Sequence, residues 1–157
     1  MKRYSWKYMA GLIDGEGCID MQGSLDKRDH TYYCRPRLRL SLSGKAGELL
    51  IPAFIANFGG TWDQKKREFT ENPNWQDAYC WCLSNKTALR GFLQNLVNHL
   101  YIKQQQAKFA IWWIDNVMGK HVTEEVRRFA TDEFKAMKRD PQRLSERAAE
   151  QVVLLMR

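Results

Sequence analysis

Met9-Ala10-Gly11-Leu12-Ile13-Asp14-Gly15-Glu16-Gly17 reads as the last turns of a helix that begins near Ser5. Gly11 and Gly15 are four apart and share a face. A second backbone can come close there, although each glycine weakens the helix relative to alanine. Close packing on that face would offset the weakness. Glu16 stands at the carbonyl end of the helix, where the dipole is already negative and a carboxylate is disfavoured. A cation resolves the conflict: carboxylate oxygen beside a free helix-terminal carbonyl, here that of Gly15, is the hard donor set that Mg²⁺ or Ca²⁺ accepts. The plainer alternative is a glycine-capped helix end with a solvated acid.

Outward from this helix the chain alternates its periodicities. Cys18 to Ser24 has strand character, with Asp20, Gln22 and Ser24 on one face and Ile19 and Met21 on the other. Asp26 to His30 is a charged turn carrying Lys27 and Arg28. Arg35, Arg37, Arg39, Ser41 and Ser43 then alternate with Pro36, Leu38, Leu40 and Leu42, a period of two that makes one apolar and one basic face. Such a strand buries its leucines on helices and leaves the arginines to solvent or a partner.

Lys45 to Asn57 reads as a helix despite Pro52, and Phe58-Gly59-Gly60 turns the chain. Thr61 to Arg67 and Ala78 to Leu83 form a predicted hairpin across the polar loop Glu68 to Gln76. Thr61, Asp63, Lys65 and Arg67 share one side of its first strand, Ala78, Cys80 and Cys82 one side of its second. Asn85 to Leu96 is helical with Ser84 or Asn85 as cap, and a further helix runs from about Ile102 to Val117. Thr123 can cap a helix that Asp140-Pro141 stops, and Ser145 starts a last amphipathic one. The expected fold is α/β (α+β): helix, two strands, helix, two strands, helix, then C-terminal helices, with a four-stranded antiparallel sheet.

The 157 residues suit one domain, with a core of about residues 5–117 and later helices over about 122–157. An excess of 25 Lys and Arg over 18 Asp and Glu gives +7, which points to an anionic partner, nucleic acid first. No apolar run reaches membrane-spanning length, and Met1 to Trp6 leads into the motif without a signal-peptide core, so no membrane partner is expected. Cys18, Cys34, Cys80 and Cys82 lack zinc spacing and are read as reduced thiols of a soluble intracellular protein; a bacterial or phage cytoplasm and an organelle matrix both fit. His30, His99 and His121 fall in no ligand motif. No Ser/His/Asp arrangement, phosphate-cradling loop or dinucleotide fingerprint occurs, and no small-molecule substrate is expected.

The nonapeptide resembles the signature of the LAGLIDADG homing endonucleases, with Met9 for the first leucine, Gly15 for the second alanine and Glu16 for the final aspartate. The resemblance covers residues 5 to 117. One copy of the motif implies a homodimer, with Met9, Gly11, Leu12, Asp14 and Gly15 at the seam and two Glu16 side chains as metal ligands across it. Tyr101-Ile102-Lys103-Gln104-Gln105-Gln106-Ala107 is similar to the segment of single-motif members that ends in Lys-Gln-x-Gln-Ala, which makes Lys103 the catalytic lysine. A glutamine usual at the end of the long strand falls on Ser43 or Gly44, a departure for which Ser43 and Lys45 are substitutes.

What the resemblance implies is metal-dependent cleavage of both strands of a long pseudo-palindromic double-stranded DNA, with 3′ overhangs. Mg²⁺ is the expected cofactor, Mn²⁺ an alternative, and Ca²⁺ supports binding alone. The DNA-reading surface would comprise Asp20, Gln22, Ser24, Arg35, Arg37, Arg39, Ser41, Asp63, Lys65, Arg67, Cys80 and Cys82 on the strands, together with Lys27, Arg28 and Lys45. The origin would be a mobile intron or intein reading frame. The competing readings are a catalytically inactive DNA-binding protein or an intron RNA maturase on the same fold, and a basic domain of unrelated function.

Overall fold

The computed structural model describes residues 4–66 and 76–157, so Arg67 and most of the predicted 68–76 loop lie outside the described residues. Helix α1 spans Trp6–Glu16, started by Ser5, whose hydroxyl accepts the Tyr8 amide. Strands β1 (Gly17–Leu25) and β2 (Tyr32–Ser43) follow, then α2 (Gly44–Phe58), β3 (Thr61–Lys65), β4 (Ala78–Leu83) and α3 (Lys86–Leu96). Helices α4 (Gln104–Asn116), α5 (Glu124–Arg139) and α6 (Ser145–Leu155) complete the order. Of the two candidate caps for α3 it is Asn85 that accepts, from the Ala88 amide, and Thr123 caps α5 as expected. Pro52 lies on the exposed side of α2, where its ring is tolerated within the helix.

The four strands form one antiparallel sheet in the order β1-β2-β4-β3. The period-two reading fixes its faces. Ile19, Met21, Leu38, Leu40, Trp81 and Leu83 are buried beneath the sheet against the helices, and the arginines of β2 point away. Trp6, Phe54, Phe58, Trp81 and Phe92 stack edge-on or tilted beneath it, with ring centres 4.9–6.3 Å apart. The Trp81 indole N–H is satisfied by the Gly59 carbonyl at 2.8 Å. Trp113 is core, as the sequence suggests, and Trp112 stacks on Phe109.

The C-terminal helices are tied to both the sheet and α4. α5 packs on β1 and β2, where Arg127 donates to the Tyr32 carbonyl at 2.7 Å and the Tyr32 and Thr131 hydroxyls meet at 3.0 Å. Gln105 in the first turn of α4 accepts both the amide and the hydroxyl of Ser145, at 3.0 and 2.9 Å, which fixes the start of α6. Among the described residues no helix is long and apolar enough to cross a membrane.

Candidate functional site

The two faces of α1 are used differently. Met9, Ala10 and Ile13 are buried in the chain's own core, so Met9, assigned to the seam by the resemblance, belongs inside the subunit. A helix has one inward stripe, and position 9 falls on it with Ala10 and Ile13. The opposite face carries Tyr8, Gly11, Leu12 and Gly15, with both glycines exposed. A Cβ on Gly11 or Gly15 would meet nothing within 4 Å. The chain's own packing therefore does not require glycine at either place.

Asp14 also works within the chain. Its carboxylate accepts the backbone amides of Tyr101 and Lys103, at 2.7 and 2.9 Å, and the Lys103 ammonium donates back to the Asp14 carbonyl. Within the subunit the carboxylate thus clamps the segment before α4, a role that its assignment to the seam does not include. Lys103 sits just ahead of that helix and not inside it. Burial pushes the Lys103 ammonium below the usual lysine pKa, assisted by Lys138 and opposed by Asp14, Cys18 and Glu16. Charge-assisted hydrogen bonds are among the stronger ones, so Asp14→Ala is expected to cost about 2–3 kcal/mol of stability, measured as a lower denaturant midpoint at unchanged slope.

Glu16 is exposed at the end of α1. Of the four terminal carbonyls that a helix leaves without intrahelical partners, that of Ile13 accepts the Gly17 amide and that of Asp14 accepts Lys103. The carbonyl of Gly15 remains beyond reach of any later helical amide. A carboxylate and a helix-terminal carbonyl at one exposed point are the hard oxygen donors that a divalent cation such as Mg²⁺ accepts. Among the described residues no three His, Cys, Asp or Glu side chains gather in a metal-binding group.

Lys138, which the sequence reading did not single out, comes within 3.9 Å of the Cys18 thiol and adds a second ammonium near Lys103. Its sole signal is its place in the last turn of α5, and the docking of α5 across 120 residues of sequence is not legible there.

Ser43 ends β2 and makes no cap bond to α2. It stands three residues beyond Leu40, the partner of Gly17, or about 10 Å along the strand. Gly44 has a φ of 60°, and a Cβ there would come within 1.9 Å of the Gln76 side-chain oxygen. The left-handed backbone favours glycine over the usual glutamine. Lys45 is exposed in the first turn of α2.

The outward face of the sheet collects most of the remaining candidates. Opposite pairs are Cys18 with Arg39, Asp20 with Arg37, Gln22 with Arg35, Ser24 with Tyr33, Arg39 with Cys82 and Ser41 with Cys80. Asp63 faces Cys80, and Lys65 faces Ala78. Asp20 accepts from Arg37 and from Arg39, each at 2.7 Å. Burial acts to raise the Asp20 pKa, but the two guanidiniums outweigh it and hold the carboxyl below the usual range. Arg35 donates to Gln22 at 3.3 Å. In the β1–β2 turn Lys27 is exposed and Arg28 folds back on Asp26 at 3.1 Å.

No protein-family model and no curated protein sequence matches the chain. Solved structures do. The homing endonuclease I-CvuI, in complex with its target in the presence of Ca, is 22% identical with a TM-score of 0.64, over 96% of this chain and 93% of that one. The homing endonuclease I-TnaI is 19% identical with a TM-score of 0.60, over 99% and 100%. The LAGLIDADG homing endonuclease I-GzeII, in complex with a DNA target, is 13% identical with a TM-score of 0.61, and this chain spans 98% of its own length but 50% of that protein's. At these identities the likeness is one of fold.

Proposed function

We propose that this chain, which has the LAGLIDADG homing-endonuclease fold, is a site-specific endonuclease for double-stranded DNA that works as a homodimer with a divalent metal ion. The observation that carries the reading is the end of α1: an exposed Glu16, an open glycine face beside it and a lysine clamped to the carbonyl two residues before it. The solved neighbours I-CvuI and I-GzeII are DNA complexes, and the length of I-GzeII, about twice this chain, supports two copies acting together.

In this reading two α1 helices meet along Tyr8, Gly11, Leu12 and Gly15 about a twofold axis. Tyr101 and Ile102, 92% and 49% exposed beside Asp14, extend the apolar surface offered to the second copy. The seam carries Glu16 from each subunit to the centre, with the Gly15 carbonyl completing each subunit's donors. Glu16 and the Gly15 carbonyl would hold a divalent ion, Mg²⁺ or Mn²⁺, which would supply Lewis-acid stabilisation, whereas Ca²⁺ would support binding without cleavage. Lys103 holds its ammonium toward the charge that develops on the phosphate, and the Asp14 clamp keeps it there. The sheet of each subunit lies in the major groove and reads one half of a near-palindromic site. Both strands are cut near the middle, leaving 3′ overhangs, and the gene is a mobile intron or intein reading frame.

The glycine at position 44 favours one alternative, a DNA-binding protein on this fold that does not cleave. Incubating a randomised duplex library with the protein and Mg²⁺ separates them. The expected result is depletion of one near-palindromic sequence family with recovered 3′-overhanging ends. Uniform persistence of the library together with selective binding of one sequence would favour the alternative.

A further inference from the structure

The outward face of the sheet places one carboxylate between two arginines. Asp20 Oδ1 accepts Arg37 Nε at 2.7 Å, and Asp20 Oδ2 accepts Arg39 Nη2 at 2.7 Å and Arg37 Nη2 at 3.4 Å. The Cys18 thiol closes on the same oxygen at 3.7 Å. Resting on the DNA reading above, we propose that Asp20 is a positioning residue that sets Arg37 and Arg39 as a matched pair for two guanines and reads no base itself.

Three observations carry this. First, both Asp20 oxygens are engaged by guanidinium N–H groups, bonds roughly twice as strong as neutral ones. Turning toward a cytosine amine would exchange the stronger partner for the weaker. Second, the side edge of Arg37, Nε and Nη2, is the part that Asp20 holds. Its far end, Nη1 and Nη2, is left with the forked geometry that matches guanine O6 and N7. Arginine also reaches several bonds farther from the sheet than aspartate. Third, β2 is an inner strand of the sheet, so positions 37 and 39 face the floor of a groove more directly than edge strands, which face its phosphate walls.

The spacing agrees. Two residues of a strand advance about 6.6 Å, close to two nucleotide steps of about 3.4 Å, so the pair would address guanines about two steps apart. An unheld arginine loses much of its rotamer freedom on binding; one already held in place gives up less and selects more sharply. Asp20 has a second effect. It cancels one of two positive charges, which weakens the attraction to phosphate that any sequence would offer.

The test is selection of bound sequences from a randomised duplex library in Ca²⁺, with the wild-type protein, Asp20→Asn and Arg37→Lys, each checked for an unchanged melting transition. In the wild-type pool two guanine positions are expected about two steps apart in each half-site. Asp20→Asn should flatten both together, by about fivefold or more in base preference. It should also tighten binding to non-specific duplex at low salt and steepen its loss as salt rises. Arg37→Lys, which keeps a cation for Asp20 but lacks the fork, should flatten one position only. The inference is overturned if Asp20→Asn leaves both guanines selected, or if it removes preference at a cytosine instead. A wild-type pool with no enriched sequence would defeat the DNA reading itself, and this inference with it.

Discussion

Glu16→Gln is expected to abolish cleavage while leaving DNA binding nearly intact. The change keeps the size of the side chain and removes its charge, and Glu16 is exposed with no part in the core. In a homodimer one substitution removes both central acids at once. The loss should be at least about 10³-fold in cleavage rate, at or beyond the upper end of the range seen when a single stabilising donor is deleted. Affinity for the target in Ca²⁺ should change by less than about threefold if, as proposed, the sheet supplies the contacts. Cleavage assays on supercoiled plasmid and binding by gel shift check the two halves separately. Cleavage by the variant near the wild-type rate would remove Glu16 from the mechanism.

Gly11→Leu should produce an opposite pair of effects. Within one chain the substitution is favourable: a Cβ at position 11 meets nothing within 4 Å, and leucine favours a helix over glycine by nearly 1 kcal/mol. If a second helix lies against that face, the same side chain stands where the other backbone must pass. Sedimentation at micromolar concentration should show the wild type as a dimer and the variant as a folded monomer, with cleavage lost. Unchanged mass and activity would show that this face of α1 is not a seam.

Much of this architecture is visible in the residues because local chemistry and tertiary environment agree. The alternation from Arg35 to Ser43 makes β2 and fixes its faces, and Ser5, Thr123 and Asp140-Pro141 bound helices where capping and proline chemistry say they should. Side-chain partnerships across long sequence separations are less legible. Asp14 reads as one more motif acid until its carboxylate is found on the Tyr101 and Lys103 amides. Met9 occupies a motif position, yet helical phase turns it into the core. Asp20 has the composition of a base reader, and only the pairing of β1 with β2 reveals that its oxygens are occupied by arginines. Lys138 could not be connected with Lys103 without the placement of α5.

The bond from Ser145 to Gln105 gives the last two helices a mechanical meaning. Gln105 is two residues from Lys103, so one short stretch anchors the tail of the chain on one side and the clamped ammonium on the other. Trimming the protein after α4 would strip away Ser145 along with the cover that α5 gives the sheet, and would loosen the footing of the lysine. The tail is therefore a brace for the Glu16 end of α1, and a minimal version of this protein has to keep it.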